Sequence, residues 1–303
     1  MDLGYSDQST QPILALKGLV ILTQLSSFTN ETSSVYFKLL EGMEQQGKRL
    51  KLGIELDTGL SDVVRLTDVE QLLRPNLGLV FLGTVPDMRL SEHLVQHNIH
   101  AVLVNTLAPD IEMDTVTPEN FTSGAKLARM LLDLGHKNFL YLTDNRRPTL
   151  ARRYLGFANE VLNACNQQQR CSVLPVSRDI FTDSELAESI KSVFSEPARK
   201  ITAVVGYCDD VAVRAAAQLR NIGIQVPRQV SVAGFDNMPI SNLSTPGLAT
   251  VHFDWHQIGA VAVKTLYQRL SDPGSAYMLI QISGKVIERG SVCPAADEPV
   301  DEV

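Results

Sequence analysis

The octapeptide "VSVAGFDN" (230–237) places a ring, a carboxylate and an amide at one point: Phe235, Asp236 and Asn237 follow an apolar run and Gly234. An ionised carboxylate there accepts several hydrogen bonds from a hydroxyl- or amine-bearing ligand in a dry cleft. The same side chain can instead cap the turn before Pro239, and the residues alone leave both roles open. Other reactive types give less. His93 with His97 and His252 with His256 are i,i+4 pairs, but no HExxH glutamate or third ligand accompanies them, so no metal site is expected. No GxSxG elbow, Walker loop or GxGxxG after a first strand occurs, and nothing pairs a nucleophile with a base; an enzyme and a cofactor are not expected. The basic cluster "DNRRPTLARR" (144–153), flanked by acids, reads as a solvated loop with one functional arginine. Cys165, Cys171, Cys208 and Cys293 show no CxxC spacing and read as reduced thiols.

The elements that hold Asp236 follow from alternation. "GLVIL" (18–22), "LKLGIEL" (50–56), "LGLVFLG" (77–83) and "HAVLVN" (100–105) are strand-length apolar runs. Between them lie helix-length amphipathic segments: "SSVYFKLLEGMEQQG" (33–47, with Gly47 as its stop), "SDVVRLTDVEQLL" (61–73) and "SEHLVQHN" (91–98). The rhythm restarts at "SGAKLARMLLDLGH" (123–136) and "NFLYLTD" (138–144), and ends with "ITAVVGY" (201–207), "DDVAVRAAAQLRNIG" (209–223) and "QVSVAGF" (229–235); a weak strand is expected near 171–176. Continuous apolar strands joined through helices mean parallel sheets covered on both faces. The predicted fold class is α/β, two doubly wound parallel-sheet lobes with a ligand cleft between them beyond the carboxyl ends of the strands. Its 303 residues, 44% hydrophobic and 20% charged, suit two lobes, each able to bury a core. With 27 Lys plus Arg against 34 Asp plus Glu, the net charge of −7 gives these residues no long-range attraction for nucleic acid. No signal-peptide pattern or membrane-length apolar run is present, so a cytoplasmic location and no membrane partner are expected.

Four ordered segments resemble the lactose/galactose-repressor family of transcription regulators: "VTPENFTSGAKLARMLLDLGHKNFLYLT" (116–143), "RRYLGFANEV" (152–161), "LRNIGIQVP" with "VSVAGFDN" (219–237), and "TPGLATVHFDWHQIGAVAVKTLYQRL" (245–270). The resemblance implies a periplasmic-binding-protein-like fold of type I: residues 18–135 plus 252–275 as the N-terminal lobe, 136–251 plus 276–292 as the C-terminal lobe, 1–17 a hinge remnant and 293–303 a tail. "LGY" (3–5) is similar to the end of the family's helix-turn-helix headpiece, so DNA contact through a headpiece outside this sequence is expected.

The resemblance also implies site residues. Arg153 matches the family arginine that forks onto ligand oxygens, a task suited to a planar five-donor group; a solvated helix arginine is the alternative. Asp236 matches the first aspartate of the family's "FDD", while Asn237 replaces the second and reads as structural. Cys208 stands where the family often has a ligand-touching asparagine; Tyr207 lines the cleft in this reading, and Asp209 caps the following helix. Thr23, Ser26 and Tyr36 fall in the family's first-lobe pocket loop, and Thr122 falls where some relatives place a ligand-binding acid. Phe253 either stacks on a sugar ring or packs in the hinge core.

The function implied is a ligand-sensing module that binds a small polar effector, a sugar or phosphosugar, and switches the geometry of a homodimer, with 33–47 and 183–195 as candidate dimer helices. A free-standing solute-binding protein of a transport system is the alternative.

Overall fold

A computed structural model describes residues 16–29, 33–74, 76–144, 147–165, 171–178 and 182–295; the hinge remnant expected at 1–17 and the tail at 293–303 lie largely outside them. The first half of the chain forms β1 (Gly18–Leu22), α1 (Ser33–Leu50), β2 (Gly53–Asp57), β3 (Val63–Val64), α2 (Leu66–Val69), β4 (Leu77–Leu82), β5 (Val85–Pro86), α3 (Met88–Gln96), β6 (Ala101–Val104) and β7 (Asp114–Pro118). The rest forms α4 (Asn120–Asp133), β8 (Asn138–Thr143), α5 (Pro148–Ala164), β9 (Ser172–Ser177), α6 (Asp183–Phe194), β10 (Ala203–Gly206), α7 (Asp209–Asn221), β11 (Ser231–Asp236), α8 (Pro239–Leu243), β12 (Ala249–His252), α9 (Trp255–Ser271), β13 (Leu279–Ile282) and β14 (Lys285–Ile287).

Two six-stranded sheets result, ordered β13-β7-β6-β4-β1-β2 and β14-β12-β11-β10-β8-β9. Every pairing is parallel except β12 with β14. This is the expected α/β class. In each sheet the order reverses next to the first strand, so the topological switch points lie at β1/β4 and at β8/β10.

The lobe boundaries differ from expectation. Helix α4, expected in the first lobe, packs against α5 of the second. Gly124 and Gly156 permit that close approach: a Cβ on Gly124 would strike the Arg153 carbonyl, and one on Gly156 the Phe121 carbonyl. Strand β13, expected in the second lobe, pairs with β7 in the first sheet, and only β14 rejoins the second. The chain therefore crosses between lobes at Pro118–Asn120, His252–Trp255 and Ile282–Lys285, while α9 packs on α1 as expected. Periodicity identifies an apolar face but not the sheet that covers it.

Local differences have local causes. Helix α1 runs past Gly47 to Leu50, with the left-handed residue at Lys51 (φ 57°). The helix expected over 61–73 shrinks to α2 and a 3₁₀ turn, because β-branched Val63 and Val64 pair with β5. The Asp68 carboxylate then accepts from the Arg65 N–H at 2.8 Å. Cys165 and Cys171 form a disulfide across a six-residue separation, correcting the reading of all four cysteines as thiols, whereas Cys208 and Cys293 form no disulfide. The bridge joins the end of α5 to the start of β9, two ends that the fold brings to a Cα–Cα distance of 5.9 Å.

Candidate functional site

Asp236 ends β11 beside its neighbours' carboxyl termini, and the strand stops in a constrained conformation. Asp236 has φ +99°, a value that non-glycine residues rarely adopt, and Asn237 φ +50°, in the left-handed region that asparagine tolerates. The enforcing contacts surround Asn237. Its amide oxygen accepts from Arg289 Nη2 at 2.7 Å, its backbone N–H donates to Thr250 Oγ1 at 3.3 Å, and its Nδ2 lies 3.2 Å from His252 Nδ1. Asn237 thus locks the turn and leaves the Asp236 carboxylate facing inward.

Arg153 meets it there. The arginine comes from the buried face of α5 and is only 3% exposed, as is Asp236. Its Nη2 lies 2.9 Å from Asp236 Oδ1, its Nε donates to Asn120 Oδ1 at 2.7 Å and its Nη1 to the Tyr207 carbonyl at 2.8 Å. The guanidinium carbon stands 5.1 Å from the ring centres of both Phe235 and Phe253, a cation–π contact on each. Burial pushes the Asp236 carboxyl above its usual range, and the Arg153 charge opposes that shift. Arg153 therefore ties strand ends β10 and β11 to two crossings, through Asn120 at the first and Phe253 at the second.

Phe253 is buried at the crossing, with its ring edge-on to Trp255 at 5.5 Å. Tyr207 contributes its carbonyl, and its ring joins the core of the second lobe with Leu142 and Leu150. Tyr36 of α1 is buried against Phe28, and Arg147 of the second lobe lies 6.0 Å over its ring, so it meets the cleft through that cation. Asp62 and Asp144 are also electrostatic neighbours of Arg147.

Three further candidates make local bonds. Thr23 is buried, but its hydroxyl donates to the Leu82 carbonyl at 2.9 Å inside the first lobe. Ser26 is exposed, with its hydroxyl on Gln24 Oε1 at 3.1 Å. Thr122 faces solvent on the first turn of α4, where its backbone N–H donates to Glu119 Oε1 at 3.0 Å. Asp209 does not cap α7: Cys208 stands at the N-cap position, its side chain making no capping hydrogen bond, and Asp209 is the first helical residue. Its buried carboxylate accepts instead from the Thr250 hydroxyl at 2.5 Å and the Met238 N–H at 2.7 Å. Burial, reinforced by the Asp236 charge, pushes its pKa up to about 8.

Residue-level reading missed Asn120 and Arg147. The "EN" at 119–120 was a usable signal, since Glu119 caps α4 through Thr122 and Ser123 and leaves the asparagine to face inward. Arg147 was hidden among exposed-looking neighbours in a basic run. Among the described residues no group of three metal-ligating side chains gathers, and no helix is long and apolar enough to cross a membrane.

Comparison with known proteins places the chain in a family. Residues 128–292, more than half of the chain, match the family described as the periplasmic binding protein-like domain. The transcriptional repressor PurR of Histophilus somni is 27% identical over 183 residues, covering 59% of this chain and 53% of that repressor, so the chain spans about half the length of the first relatives it matches. The ribose operon repressor of Haemophilus influenzae is 21% identical over 292 residues, 96% of this chain and 86% of the relative. Among solved structures, a LacI family transcriptional regulator from Enterococcus faecium with bound ribose superposes with a TM-score of 0.75 at 17% identity, over 92% of this chain and all of that one. The chain belongs to the periplasmic binding protein-like domain family.

Proposed function

We propose that this chain is the ligand-sensing region of a transcription regulator, taking a small polar effector of the sugar class between its lobes. The observation that carries the reading is the buried Arg153–Asp236 pair, set at the strand mouths and tied to Asn120 and Phe253 at two lobe crossings. A ligand hydroxyl on Asp236 competes for the carboxylate that holds Arg153, and any movement of Arg153 reaches both crossings. A ligand shifts such an equilibrium only by binding the two lobe arrangements with different affinity. In this reading the cell's cytoplasm supplies the effector. Helices α1 and α6 are the candidate dimer faces, and lobe movement alters the spacing of DNA-binding headpieces across the two-fold axis.

Calorimetric titration with D-ribose, D-ribose 5-phosphate and a set of purines and amino acids tests the proposal. Binding is expected in the unaltered chain and should weaken strongly in Asp236→Asn, which keeps the shape and removes the charge. Equal affinity in that variant, or no binding by any compound, overturns the reading.

A further inference from the structure

The strand beneath the Arg153–Asp236 pair carries polar atoms that the protein itself does not use. β8 alternates: Leu140 and Leu142 enter the core with α6 and α7, while Phe139 and Tyr141 enter the core with Phe157 of α5. Thr143 follows Tyr141 on the same face by the two-residue period. The Tyr141 ring is held at 5.3 Å by Tyr154 and at 5.3 Å by Phe157, and its electrostatic neighbours are Arg153, Asp236 and Cys208. Tyr141 and Thr143 are 0% and 1% exposed, yet among the described residues neither hydroxyl has a hydrogen-bond partner. Asp236 Oδ1 differs, since Arg153 Nη2 holds it in an ion pair at 2.9 Å.

A buried orphan polar group costs about 1–3 kcal/mol, so unpaired groups are few in native interiors and mark a missing water or ligand. Here two such hydroxyls stand two residues apart on β8, which flanks the β8/β10 switch point where a doubly wound sheet takes its ligand, and Tyr141 has Arg153 and Asp236 as electrostatic neighbours. We propose that Tyr141 and Thr143 form an inner step of the ligand site, and that the group read there is an uncharged, hydroxyl-bearing ring, a sugar rather than a sugar phosphate. This inference rests on the effector-binding reading above.

The chemistry suits that group. Burial holds the Tyr141 phenol far above its ordinary pKa, so it remains a neutral donor toward a ring or hydroxyl oxygen. Thr143 can donate or accept, and Asp236 accepts from a hydroxyl. Charge argues against phosphate. Arg153 is paired with Asp236, Arg147 has Asp144 and Asp62 as neighbours, and Asp236 also has Lys38 and Arg147 in reach. Arg153, Arg147 and Lys38 are thus matched by Asp236, Asp144 and Asp62, and the nearby Arg289 is engaged by the Asn237 side-chain oxygen and the Leu248 carbonyl, which leaves no cation dedicated to a dianion.

The test titrates D-ribose and D-ribose 5-phosphate into the full chain, Tyr141→Phe and Thr143→Val, with thermal unfolding of each protein without sugar. Tyr141→Phe should weaken ribose about tenfold, the worth of one hydrogen bond, while Tm without sugar holds or rises because an orphan hydroxyl has gone. A crystal structure with ribose should place a sugar oxygen within hydrogen-bond distance of Tyr141 Oη. Unchanged ribose affinity in Tyr141→Phe with loss in Asp236→Asn overturns this inference alone. A lower Tm with unchanged affinity assigns the hydroxyl a purely structural role and also overturns it, as does tighter binding of the phosphate than of ribose. If the unaltered chain binds neither sugar, the inference is overturned together with the sugar-class reading.

Discussion

Replacing Arg153 by methionine keeps much of the stem and removes the charge with its donors. The loss has several parts. Asp236 is left buried and unpaired, the Asn120 and Tyr207 oxygens lose their donors, and the faces of Phe235 and Phe253 lose a cation. Removing one partner of a buried ion pair costs about 3–5 kcal/mol, because the remaining charge is stranded without water. Against a domain stability of about 5–15 kcal/mol, that is a large fraction. With a urea m-value of about 3 kcal/mol/M, the midpoint should fall by about 1–1.7 M. The chain's single tryptophan, Trp255, sits against Phe253, so its fluorescence reports unfolding at the site itself. The double variant Arg153→Met with Asp236→Leu should be more stable than Arg153→Met alone, since it strands no charge. A midpoint shift worth less than 1 kcal/mol in Arg153→Met, or a double variant as unstable as the sum of the singles, would refute the account of Arg153 as the tie between strand ends and crossings.

Asp209 should make stability fall as pH rises. Its folded pKa of about 8 lies above the ordinary 3.8, so the native state holds a proton that the unfolded chain releases between those values. Its contribution is whole below about pH 4 and is lost as pH climbs through 8. Urea midpoints should decline from pH 6 to 8 and level off by pH 9, and Asp209→Asn should flatten the decline; an identical slope in the variant contradicts the shift. Gly156→Ala drives a methyl into the Phe121 carbonyl and should cost about 1–3 kcal/mol by urea unfolding. At Gly223 an added Cβ meets nothing within 4 Å, so only its φ of +85° resists alanine and the cost should be the smaller. The reverse ranking would mean that the α4–α5 contact tolerates separation.

Residue order alone was enough for the α/β class, the doubled rhythm of strands and helices, and the arrival of Asp236 at a strand mouth. Those features depend on side-chain spacing within a few residues, and Gly234-Phe235-Asp236 after an apolar run states them directly. Other features depended on partners distant along the chain. That α4 belongs with α5 and β13 with β7 was decided by which apolar face each could bury and how closely two helix backbones could approach. Arg153 was legible as a special arginine. Its engagement with Asn120, 33 residues away, and with the Tyr207 carbonyl, 54 residues away, exists only once both crossings are in place. The same applies to Tyr141, which by sequence is one more aromatic in a buried strand. Only its burial near the strand mouths, with no hydrogen-bond partner among the described residues, makes its hydroxyl a group that asks for a ligand, because an unpaired donor is costly where water cannot follow.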